Sequence, residues 1–599
     1  MKELQYPFDP ALLMDSKKKL RRELLKDGTP RTPIKVAVLG GSTTSDIIKM
    51  LELFLLDRGV KPEFYESEYN FWWQDAVFGS EELDSFKPDI VFVHTTVRNL
   101  ERFFPSLDDD AEKREDECFE YFFKAWDSLE RRYGCTVIQN NFELPIFRLL
   151  GNRDCWDSRG AVRFVSRMNE RFAAYASGRE RFYINDVNYV AACYGLDRWH
   201  DEKAWCMYKY AMCTDAVPEF AYNLARIICS LCGRNKKALA LDLDNTLWGG
   251  VVGDDGPDGI EIGSETATGE CFLGFQRYLK KLQGIGVMLT VASKNDRENA
   301  VAGLERADCV LHPDDFIVIK ANWETKDRNI AQTAAQMDLG TDAFVFVDDN
   351  PTERALVRSS LPGTAVPELE SPDEYVRVLD RSGWFEVTAF SADDLRRNDM
   401  YRANAMRAEV QSSFTDYTEY LLSLDMHADI LPFDPVSIPR ITQLTNKSNQ
   451  FNLTTRRYTQ PEIENAAADG DRITLYGRLT DKFGDNGIVS VVIGHIEGES
   501  CDIELWLMSC RVLKKDMELA MLDTLVGKCR ARGVKQLKGT YLPTAKNGMV
   551  RGLYESFGFE KTYETPEGET GWVLELEGYA DKNKVIAVNG GKRENGNDE

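Results

Sequence analysis

The stretch ALALDLDNTLWGG (residues 238–250) decides the fold of the middle of this chain. Four apolar residues come first, and Asp242 and Asp244 follow, two residues apart. Alternate side chains of an extended chain point to the same side, so the two carboxylates share one face. At the carboxyl end of a parallel strand, they would project into the crevice where such sheets bind ligands.

Two neighbouring carboxylates suit phosphoryl chemistry, because one can attack phosphorus while the other handles the leaving-group proton. Both would repel a phosphate, so we expect a hard cation between them, and Mg²⁺ prefers oxygen ligands. Three further segments follow in order: Ser293, then Lys326, then Asp348-Asp349. A hydroxyl and an ammonium can hold phosphoryl oxygens, and the late aspartates can hold the metal.

Apolar strand patterns alternate with helical patterns through this region, which predicts a parallel sheet. The predicted strands are 238–243, 287–292, 316–319 and 343–347. The order and spacing of the motifs resemble the haloacid-dehalogenase (HAD) superfamily of phosphotransferases. The resemblance implies the following roles: Asp242 as nucleophile, Asp244 as acid/base, Thr246, Ser293 and Lys326 as phosphate-binding residues, and Asp242, the Asp244 backbone carbonyl, Asp348 and possible helper Asp349 as Mg²⁺ ligands.

Phosphatases of this superfamily that act on small molecules usually carry a cap inserted after the first or the second motif. Residues 248–270, at the first insertion point, are rich in Gly and Asp and lack helical periodicity. The second point offers one helix and one strand, both used by the sheet. An open site is therefore expected, which suits a large substrate or one delivered by a macromolecule or another domain.

Several longer strings narrow the resemblance. They are LDLDNTLWGGVVGDDGPDGI, SKND (293–296), KANWETK (320–326), FVDDNPTER (346–354), QLTNKSNQFNLTTRRYT (443–459), DKFGDNGI (481–488) and WLMSCRVL (506–513). Together they resemble FkbH-like proteins, HAD subfamily IIIC, over residues 238–563. The N-terminal region also fits the longer members of that family.

The resemblance implies an enzyme that takes a glyceryl unit from 1,3-bisphosphoglycerate, removes the phosphate and loads the acyl group on an acyl carrier protein. A thiol must accept the acyl group, either a protein cysteine or the phosphopantetheine of the carrier. Some glyceryl-loading members have Cys before the serine of the second motif, where this chain has Ala292. Cys510 is a candidate thiol, although a cysteine that ends a strand is more often a core residue.

The C-terminal region resembles GNAT acyltransferases in its order of strands and helices and in LYESFGF (553–559). In that family a glycine-containing loop holds the coenzyme A pyrophosphate. Here the loop from Arg511 to Met517 has no glycine, so Lys514 and Lys515 would have to replace amides by charge, or the pocket is vestigial. Tyr554 matches a tyrosine that protonates the leaving thiolate, and a packed helix tyrosine is the alternative.

The polar run NKSNQFN (446–452) is followed by Arg456 and Arg457. We predict that this segment recognises an acyl or phosphopantetheine arm; the alternative is a capped turn with a solvated basic face. Carrier proteins are typically acidic, so docking on this acidic chain needs a local basic patch. The acyl- or carrier-binding candidates are Lys447, Asn449, Arg456, Arg457, Cys510, Arg511, Lys514, Lys515 and Tyr554.

The N-terminal region reads as a buried strand at 34–39, a glycine turn and a helix, which opens a doubly wound unit. Ser42 in this turn and the later string DRWH (197–200) resemble the first and last blocks of SGNH esterases. That resemblance implies a triad of Ser42, His200 and Asp197, with Asn99 as the nearest oxyanion donor. The middle blocks match poorly, and the alternative is a structural module with the hydrolase fold.

The chain has 599 residues, 74 Lys and Arg against 98 Asp and Glu, and a net charge of −24. This charge excludes a general nucleic-acid binder. No apolar run is long enough to span a bilayer and the first residues are charged, so we predict a cytoplasmic protein. The 13 cysteines are then expected to be free thiols.

The predicted fold is α/β and multidomain. The predicted parts are an N-terminal helix (1–30), an SGNH-like parallel sheet (31–235), a capless HAD sheet (236–385), a helical linker (386–424), an α+β GNAT-like domain (425–578) and a disordered tail (579–599). Two other functions remain open: a HAD phosphatase coupled to acyl transfer or esterase chemistry on a surface polysaccharide or lipid precursor, and a scaffold with degenerate sites. The sequence leaves the acyl donor and the oligomeric state open.

Overall fold

The computed structural model describes residues 1–589, apart from 107, 389–396, 412–413, 448–450, 510–511 and 545–546. Three sheets with flanking helices make up this part of the chain, and two of the sheets are parallel. The predicted α/β multidomain class is therefore confirmed. Within the described residues, no helix combines the length and the apolar character that crossing a bilayer requires.

The first sheet is parallel, with the strand order β2-β1-β3-β4-β5. Its strands are β1 (Thr32–Gly40), β2 (Val60–Glu66), β3 (Ile90–His94), β4 (Thr136–Asn140) and β5 (Phe182–Asn185). The helices of this region are α1 (Pro10–Lys26), α2 (Ser45–Asp57), α3 (Trp72–Phe78), α4 (Glu81–Phe86), α5 (Val97–Leu100), α6 (Ala111–Tyr133), α7 (Ala161–Ser177), α8 (Val187–Tyr194), α9 (Leu196–Trp199), α10 (Glu202–Tyr208) and α11 (Val217–Leu231). Short 3-10 turns lie at Lys2–Leu4, Glu101–Phe103, Gly151–Cys155 and Thr214–Ala216.

Both faces of this sheet are covered, because its strands carry apolar side chains on both sides. One face buries Phe54 of α2 and Phe220 of α11, and the other buries Phe122 and Trp126 of α6. The end of the Asn99 side chain packs closely on Gly41: a Cβ there would lie 2.6 Å from the Asn99 amide nitrogen. The glycine turn thus lets the end of β1 approach the loop that follows β3.

The second sheet has the order β8-β7-β6-β9 and contains all four strands predicted for the middle of the chain. They are β6 (Ala238–Leu241), β7 (Met288–Ser293), β8 (Phe316–Ala321) and β9 (Phe344–Val347). The helices are α12 (Val252–Asp255), α13 (Ala267–Gly284), α14 (Arg297–Leu304), α15 (Lys326–Gln336), α16 (Pro351–Ser360) and α17 (Tyr375–Arg381), with 3-10 turns at Pro313–Asp315, Thr341–Ala343 and Pro372–Glu374. The pairs β6–β7 and β7–β8 are parallel.

The chain after α17 packs against helices of the N-terminal region. The Arg58 guanidinium donates to the Ser382 carbonyl at 2.6 Å, and the Tyr222 hydroxyl donates to the same oxygen at 2.8 Å. Arg226 of α11 forms an ion pair with Glu386 at 2.9 Å. These contacts involve segments that the sequence assigns to separate domains.

The third sheet is mixed and has nine strands among the described residues, in the order β16-β17-β15-β14-β13-β12-β10-β18, with β11 on β14. The strands are β10 (Met426–Leu431), β11 (Phe451–Asn452), β12 (Arg472–Asp481), β13 (Gly484–Glu497), β14 (Ser500–Met508), β15 (Gln536–Tyr541), β16 (Glu560–Glu564), β17 (Thr570–Glu575) and β18 (Ile586–Val588). The helices are α18 (Arg397–Gln411), α19 (Tyr417–Ser423), α20 (Ile438–Lys447), α21 (Gln460–Ala468), α22 (Met517–Ala531) and α23 (Leu553–Ser556), and a 3-10 turn spans Gly548–Val550.

The prediction of a disordered tail at 579–599 is wrong for residues 579–589. Strand β18 pairs in parallel with the edge strand β10, from Met426↔Ile586 to Ala428↔Val588. The Asp523 carboxylate also accepts the backbone N–H groups of Lys582 and Asn583. An open sheet edge presents unpaired backbone groups, and this short apolar segment satisfies them despite its polar flanks. Residues 590–599 lie outside the described part.

Candidate functional site

The turn after β6 presents two carboxylates at the carboxyl end of the second sheet. Asp242 follows the strand and is buried. Asn245 takes a left-handed conformation, φ 54°, which turns the chain sharply. The backbone N–H groups of Thr246 and Leu247 then both donate to the Leu243 carbonyl. This tight turn keeps Asp242 and Asp244 at the sheet edge, as the sequence predicts.

Asp242 forms a buried ion pair with Lys326. The Lys326 ammonium lies 2.8 Å from the Asp242 Oδ2 atom, and the two side chains are only 4% and 8% exposed. Lys326 is the first residue of α15, which begins after β8. Two motifs separated by more than eighty residues in sequence thus meet in the folded protein.

Three carboxylates converge where a metal could bind. One oxygen each from Asp242, Asp348 and Asp349 lies within 4.8 Å of the others. Asp348 and Asp349 follow β9, a strand of the same sheet, and the Arg354 guanidinium donates to both of their backbone carbonyls. An all-oxygen donor set fits Mg²⁺, which favours carboxylate and carbonyl ligands.

Three donors hold the Asp244 carboxylate in place. The Trp248 indole N–H and the Val252 backbone N–H donate to its Oδ1 atom, each at 3.0 Å, and the Asn295 amide donates to Oδ2 at 3.0 Å. Burial raises the pKa of Asp244, while the Val252 and Trp248 donors act in the opposite direction. The carboxyl therefore keeps its proton to higher pH than an ordinary aspartate, which suits a group that donates and then accepts a proton.

Trp248 and Asn295 are positioning residues that sequence reasoning missed. Both lie in strings typical of the family, but the sequence did not show that they contact Asp244. The Trp248 ring packs closely against α14, where a Cβ on Gly303 would come within 3.0 Å of it. This packing holds the indole in place, and the indole N–H in turn orients the Asp244 carboxyl.

Replacing Trp248 with Phe should lower kcat of the phosphatase reaction that the sequence predicts about ten-fold. The limb of the pH–rate profile that reflects ionisation of Asp244 should also move to higher pH. The substitution keeps the ring in its place but removes a donor that stabilises the ionised form, so the pKa rises further. The pH dependence of kcat tests this, with Trp156→Phe, at an exposed indole after the 3-10 turn Gly151–Cys155, as the matched control. An unshifted limb would show that the indole does not tune Asp244.

The other predicted phosphate-binding residues are placed at the same edge of the sheet. Ser293 ends β7 and Thr246 lies in the turn after β6, and both are buried. Their roles in phosphate binding stay predictions. Within the described residues, the connection from β6 to β7 carries α12 and α13, and the connection from β7 to β8 carries α14 and a 3-10 turn.

Comparison with known proteins places the chain in a family. The model of the FkbH N-terminal domain matches residues 35–229. A crystal structure from Bacteroides fragilis, the N-terminal part of the protein BF1531 containing a phosphatase domain complexed with Mg, is 30% identical, with a TM-score of 0.59. The match covers 62% of this chain and 99% of that one. The chain belongs to the FkbH-like family.

Solved structures of acetyltransferases match about a quarter of this FkbH-like chain at low identity. The ribosomal-protein-S18-alanine N-acetyltransferase from Escherichia coli is 15% identical, with a TM-score of 0.20, over 25% of this chain and 94% of that one. The PaiA N-acetyltransferase from Thermoplasma acidophilum is 13% identical, with a TM-score of 0.20, over 25% and 98%. Likenesses this weak carry no argument about activity. No curated protein matches the chain.

Tyr554 is a core residue in this FkbH-like protein, which contradicts its predicted catalytic role. Its ring packs on Phe559 and against Gly539, where a Cβ would lie 2.3 Å from the ring. Its hydroxyl is buried without a hydrogen-bond partner, and burial raises its pKa strongly. No leaving thiolate can reach a hydroxyl that packing encloses.

Tyr554→Phe should therefore stabilise the FkbH-like protein by about 1 kcal/mol, because the buried hydroxyl makes no compensating hydrogen bond. Thermal unfolding measures this as a rise in Tm. Tyr563→Phe is the control, since the Tyr563 hydroxyl donates to Glu569 at the surface. A loss of stability on removing the Tyr554 hydroxyl would show that it has a partner.

Among the described candidates for carrier binding, Lys515 is buried and others are engaged with neighbouring groups. The Lys515 side chain is 10% exposed and lies 3.9 Å from Asp481, so it is unavailable for docking. Burial raises the pKa of Asp338, and the nearby Lys514 ammonium acts in the opposite direction. Arg456 lies 3.9 Å from Glu504. Arg457 donates to the Asn446 carbonyl. Asn449, Cys510, Arg511 and the side chain of Lys447 lie outside the described residues.

The SGNH-like triad is not assembled. His200 uses its Nε2 atom in a hydrogen bond with the Leu144 carbonyl at 3.2 Å, and Asp197 is exposed. The Ser42 hydroxyl is buried without a partner. The Asn99 amide donates to the Gly41 carbonyl at 3.2 Å. Among the described residues, no hydrogen bond joins Ser42, His200 and Asp197.

Proposed function

We propose that this FkbH-like chain is a Mg²⁺-dependent HAD-type phosphatase or phosphotransferase. The observation that carries the proposal is the buried contact of 2.8 Å between Lys326 and Asp242, beside Asp348 and Asp349. A nucleophilic carboxylate, a cation for phosphoryl oxygens and a hard-metal donor set then share one sheet edge. The relative from Bacteroides fragilis, with its phosphatase domain and Mg, supports the same reaction class.

In the proposed reaction, an Asp242 carboxylate oxygen forms a bond to phosphorus while the bond from phosphorus to the leaving oxygen breaks. Asp244 gives its proton to that oxygen, then takes a proton from the water that hydrolyses the aspartyl phosphate. Lys326 holds the phosphoryl oxygens. Mg²⁺ bound by Asp242, Asp348, Asp349 and the Asp244 carbonyl would supply neutralisation of the phosphate charge.

We assign the substrate class as a phosphorylated glyceryl compound, 1,3-bisphosphoglycerate, and the acceptor as the phosphopantetheine thiol of an acyl carrier protein. In this assignment the thiolate sulfur forms a bond to the C1 carbonyl carbon, the bond from that carbon to the phosphate oxygen breaks, and phosphate leaves with the electron pair. Asp242 removes the other phosphate, the ester at C3, by the reaction given above.

Family membership supports this assignment. Among the described residues, the connections after β6 and β7 carry helices but no additional sheet, which favours a site that a bulky phosphopantetheine arm can approach. Cys510 as an intermediate thiol, and coenzyme A as a ligand of the third sheet, belong to the same proposal.

The test combines the protein, Mg²⁺, isotope-labelled 1,3-bisphosphoglycerate and holo carrier proteins, with intact-mass detection. Phosphate release together with a glyceryl adduct on the carrier or the protein supports the whole proposal. Phosphate release without an adduct supports a phosphatase and contradicts glyceryl loading. Unchanged phosphate release after chelation of Mg²⁺ contradicts the metal assignment, and no release from a broad panel of phosphorylated substrates contradicts the reaction class.

A further inference from the structure

Two aspartates of the candidate metal cluster are neighbours in the chain. Asp348 and Asp349 directly follow β9, and one oxygen of each lies within 4.8 Å of the other and of an Asp242 oxygen. Successive side chains of an extended chain point to opposite faces, so an extended segment could not bring both carboxylates to one cation. The chain must therefore turn at these two residues, and other groups must hold the turn.

The Arg354 guanidinium makes contacts that hold this turn. Its Nη1 atom donates to the Asp348 carbonyl at 2.8 Å and to the Asp349 carbonyl at 2.6 Å. Successive carbonyls of an extended strand point to opposite sides, so their convergence on one nitrogen shows that the chain changes direction here. Because Nη1 carries two hydrogens, it can give one to each carbonyl.

The peptide group between Asp349 and Asn350 is held at both of its polar atoms. Its N–H donates to the Asp348 Oδ1 atom at 2.8 Å, and its carbonyl accepts the hydrogen bond from Arg354. With both atoms engaged, this peptide group cannot rotate without losing a hydrogen bond. The direction in which the Asp349 side chain leaves the backbone is fixed in the same way.

Arg354 is itself held in place. It lies in the first turn of α16 and is buried. Its Nη2 atom donates to the Glu368 carboxylate at 3.4 Å. Glu368 lies just beyond Ala365, whose carbonyl accepts the backbone N–H of Phe346 in β9 at 2.8 Å. Because the guanidinium is planar and rigid, the contact of Nη2 with Glu368 helps to aim Nη1 at the two carbonyls.

We propose that Arg354 is a positioning residue for the metal site: it turns Asp349 toward the same Mg²⁺ that Asp348 binds. The inference rests on the proposed function, because the proposed phosphatase reaction requires this metal. A guanidinium has no acceptor atom, so Arg354 acts through the aspartates and is not itself a ligand. Groups that orient metal ligands typically change metal affinity about 10- to 100-fold when they are removed.

The test measures Mg²⁺ binding to the full chain by isothermal titration calorimetry after treatment with EDTA, which does not depend on phosphate release. Arg354→Met keeps an unbranched buried side chain but removes its donors, and should weaken Mg²⁺ affinity about 10- to 100-fold. Arg354→Lys keeps the charge beside Glu368 but has one nitrogen instead of a fork, and should give an intermediate affinity. Arg377→Met, at an arginine that is 62% exposed in a pair with Glu374, is the control and should bind like the unmodified protein.

A double variant separates the orientation of Asp349 from a general loss of stability. Asp349→Asn alone should weaken Mg²⁺ binding. If Arg354 acts through Asp349, adding Arg354→Met to that variant should weaken binding by no more than about three-fold further. Fully additive losses would overturn the inference. Unchanged affinity in Arg354→Met would also overturn it, as would unchanged affinity in Arg354→Lys where the methionine variant does not fold.

Failure of this inference can be distinguished from failure of the proposed function. Mg²⁺ binding that is equally tight in the unmodified protein and in the Arg354 variants contradicts only the positioning role. Absence of Mg²⁺ binding by the unmodified protein contradicts the metal assignment of the proposed function and this inference with it.

Discussion

Asp242→Asn should reduce phosphate release by at least about 10⁴-fold, because an amide cannot form the aspartyl phosphate. The change is isosteric, so the turn after β6 should keep its shape. The amide also removes one of three converging carboxylates, which should weaken Mg²⁺ binding. Release of inorganic phosphate at saturating Mg²⁺ measures the first effect, and Mg²⁺ titration of thermal stability measures the second.

The matched control for Asp242→Asn is Asp314→Asn, an exposed carboxylate beside β8 that should leave phosphate release unchanged. Loss of the carboxylate also leaves Lys326 buried without its ion-pair partner, so thermal unfolding should show some destabilisation. Phosphate release is therefore compared at a temperature well below the Tm of the variant. Phosphate release within ten-fold of the unmodified protein would contradict the assignment of Asp242 as nucleophile.

Arg407→Met should destabilise the third sheet by about 3–5 kcal/mol. Arg407 of α18 donates through Nε and Nη2 to the two carboxylate oxygens of Asp481, at 2.8 and 2.7 Å. The two side chains are 4% and 0% exposed. The variant leaves the Asp481 charge buried beside Lys515, without its two-point partner. Hydrogen exchange of the β12 and β13 amides measures the local loss of free energy.

An exposed pair provides the comparison for Arg407→Met. Arg478→Met removes a similar contact with Asp485, but these side chains are 48% and 31% exposed, so the cost should stay below about 1 kcal/mol. The double variant Arg407→Met with Asp481→Leu should recover most of the lost stability, because no unpaired charge is left buried. Equal losses in the two single arginine variants would contradict a special role for burial.

Much of the candidate site could be predicted from the sequence, because its chemistry is carried by short motifs at strand ends. Apolar runs followed by Asp242, Ser293 or Asp348 mark the carboxyl ends of parallel strands, and parallel packing brings those ends to one edge. The positions of Trp248 and Asn295 could not be predicted in this way. Their contacts with Asp244 depend on how α14 and the turn after β6 pack.

The errors have the same origin. Tyr554 matches a motif position, but its burial against Gly539 and Phe559 removes its hydroxyl from any substrate. His200 has the expected spacing from Asp197, yet its Nε2 atom is committed to a backbone carbonyl. The segment after Gly578 has the polar composition of a disordered tail, but part of it forms β18 and pairs with the edge strand β10. Amino-acid composition and motif spacing contain no information about these tertiary contacts.

The sequence by itself determined the α/β class, the strands of the second sheet and the acidic and basic groups of the candidate phosphatase site. These follow from hydrophobic periodicity and from local motif chemistry, which are properties of neighbouring residues. Only the tertiary structure decided which polar groups are satisfied: the ion pair of Asp242 with Lys326 and the three donors to Asp244. Such pairings depend on burial and on distances between segments far apart in sequence, and the net charge of −24 contains no information about them.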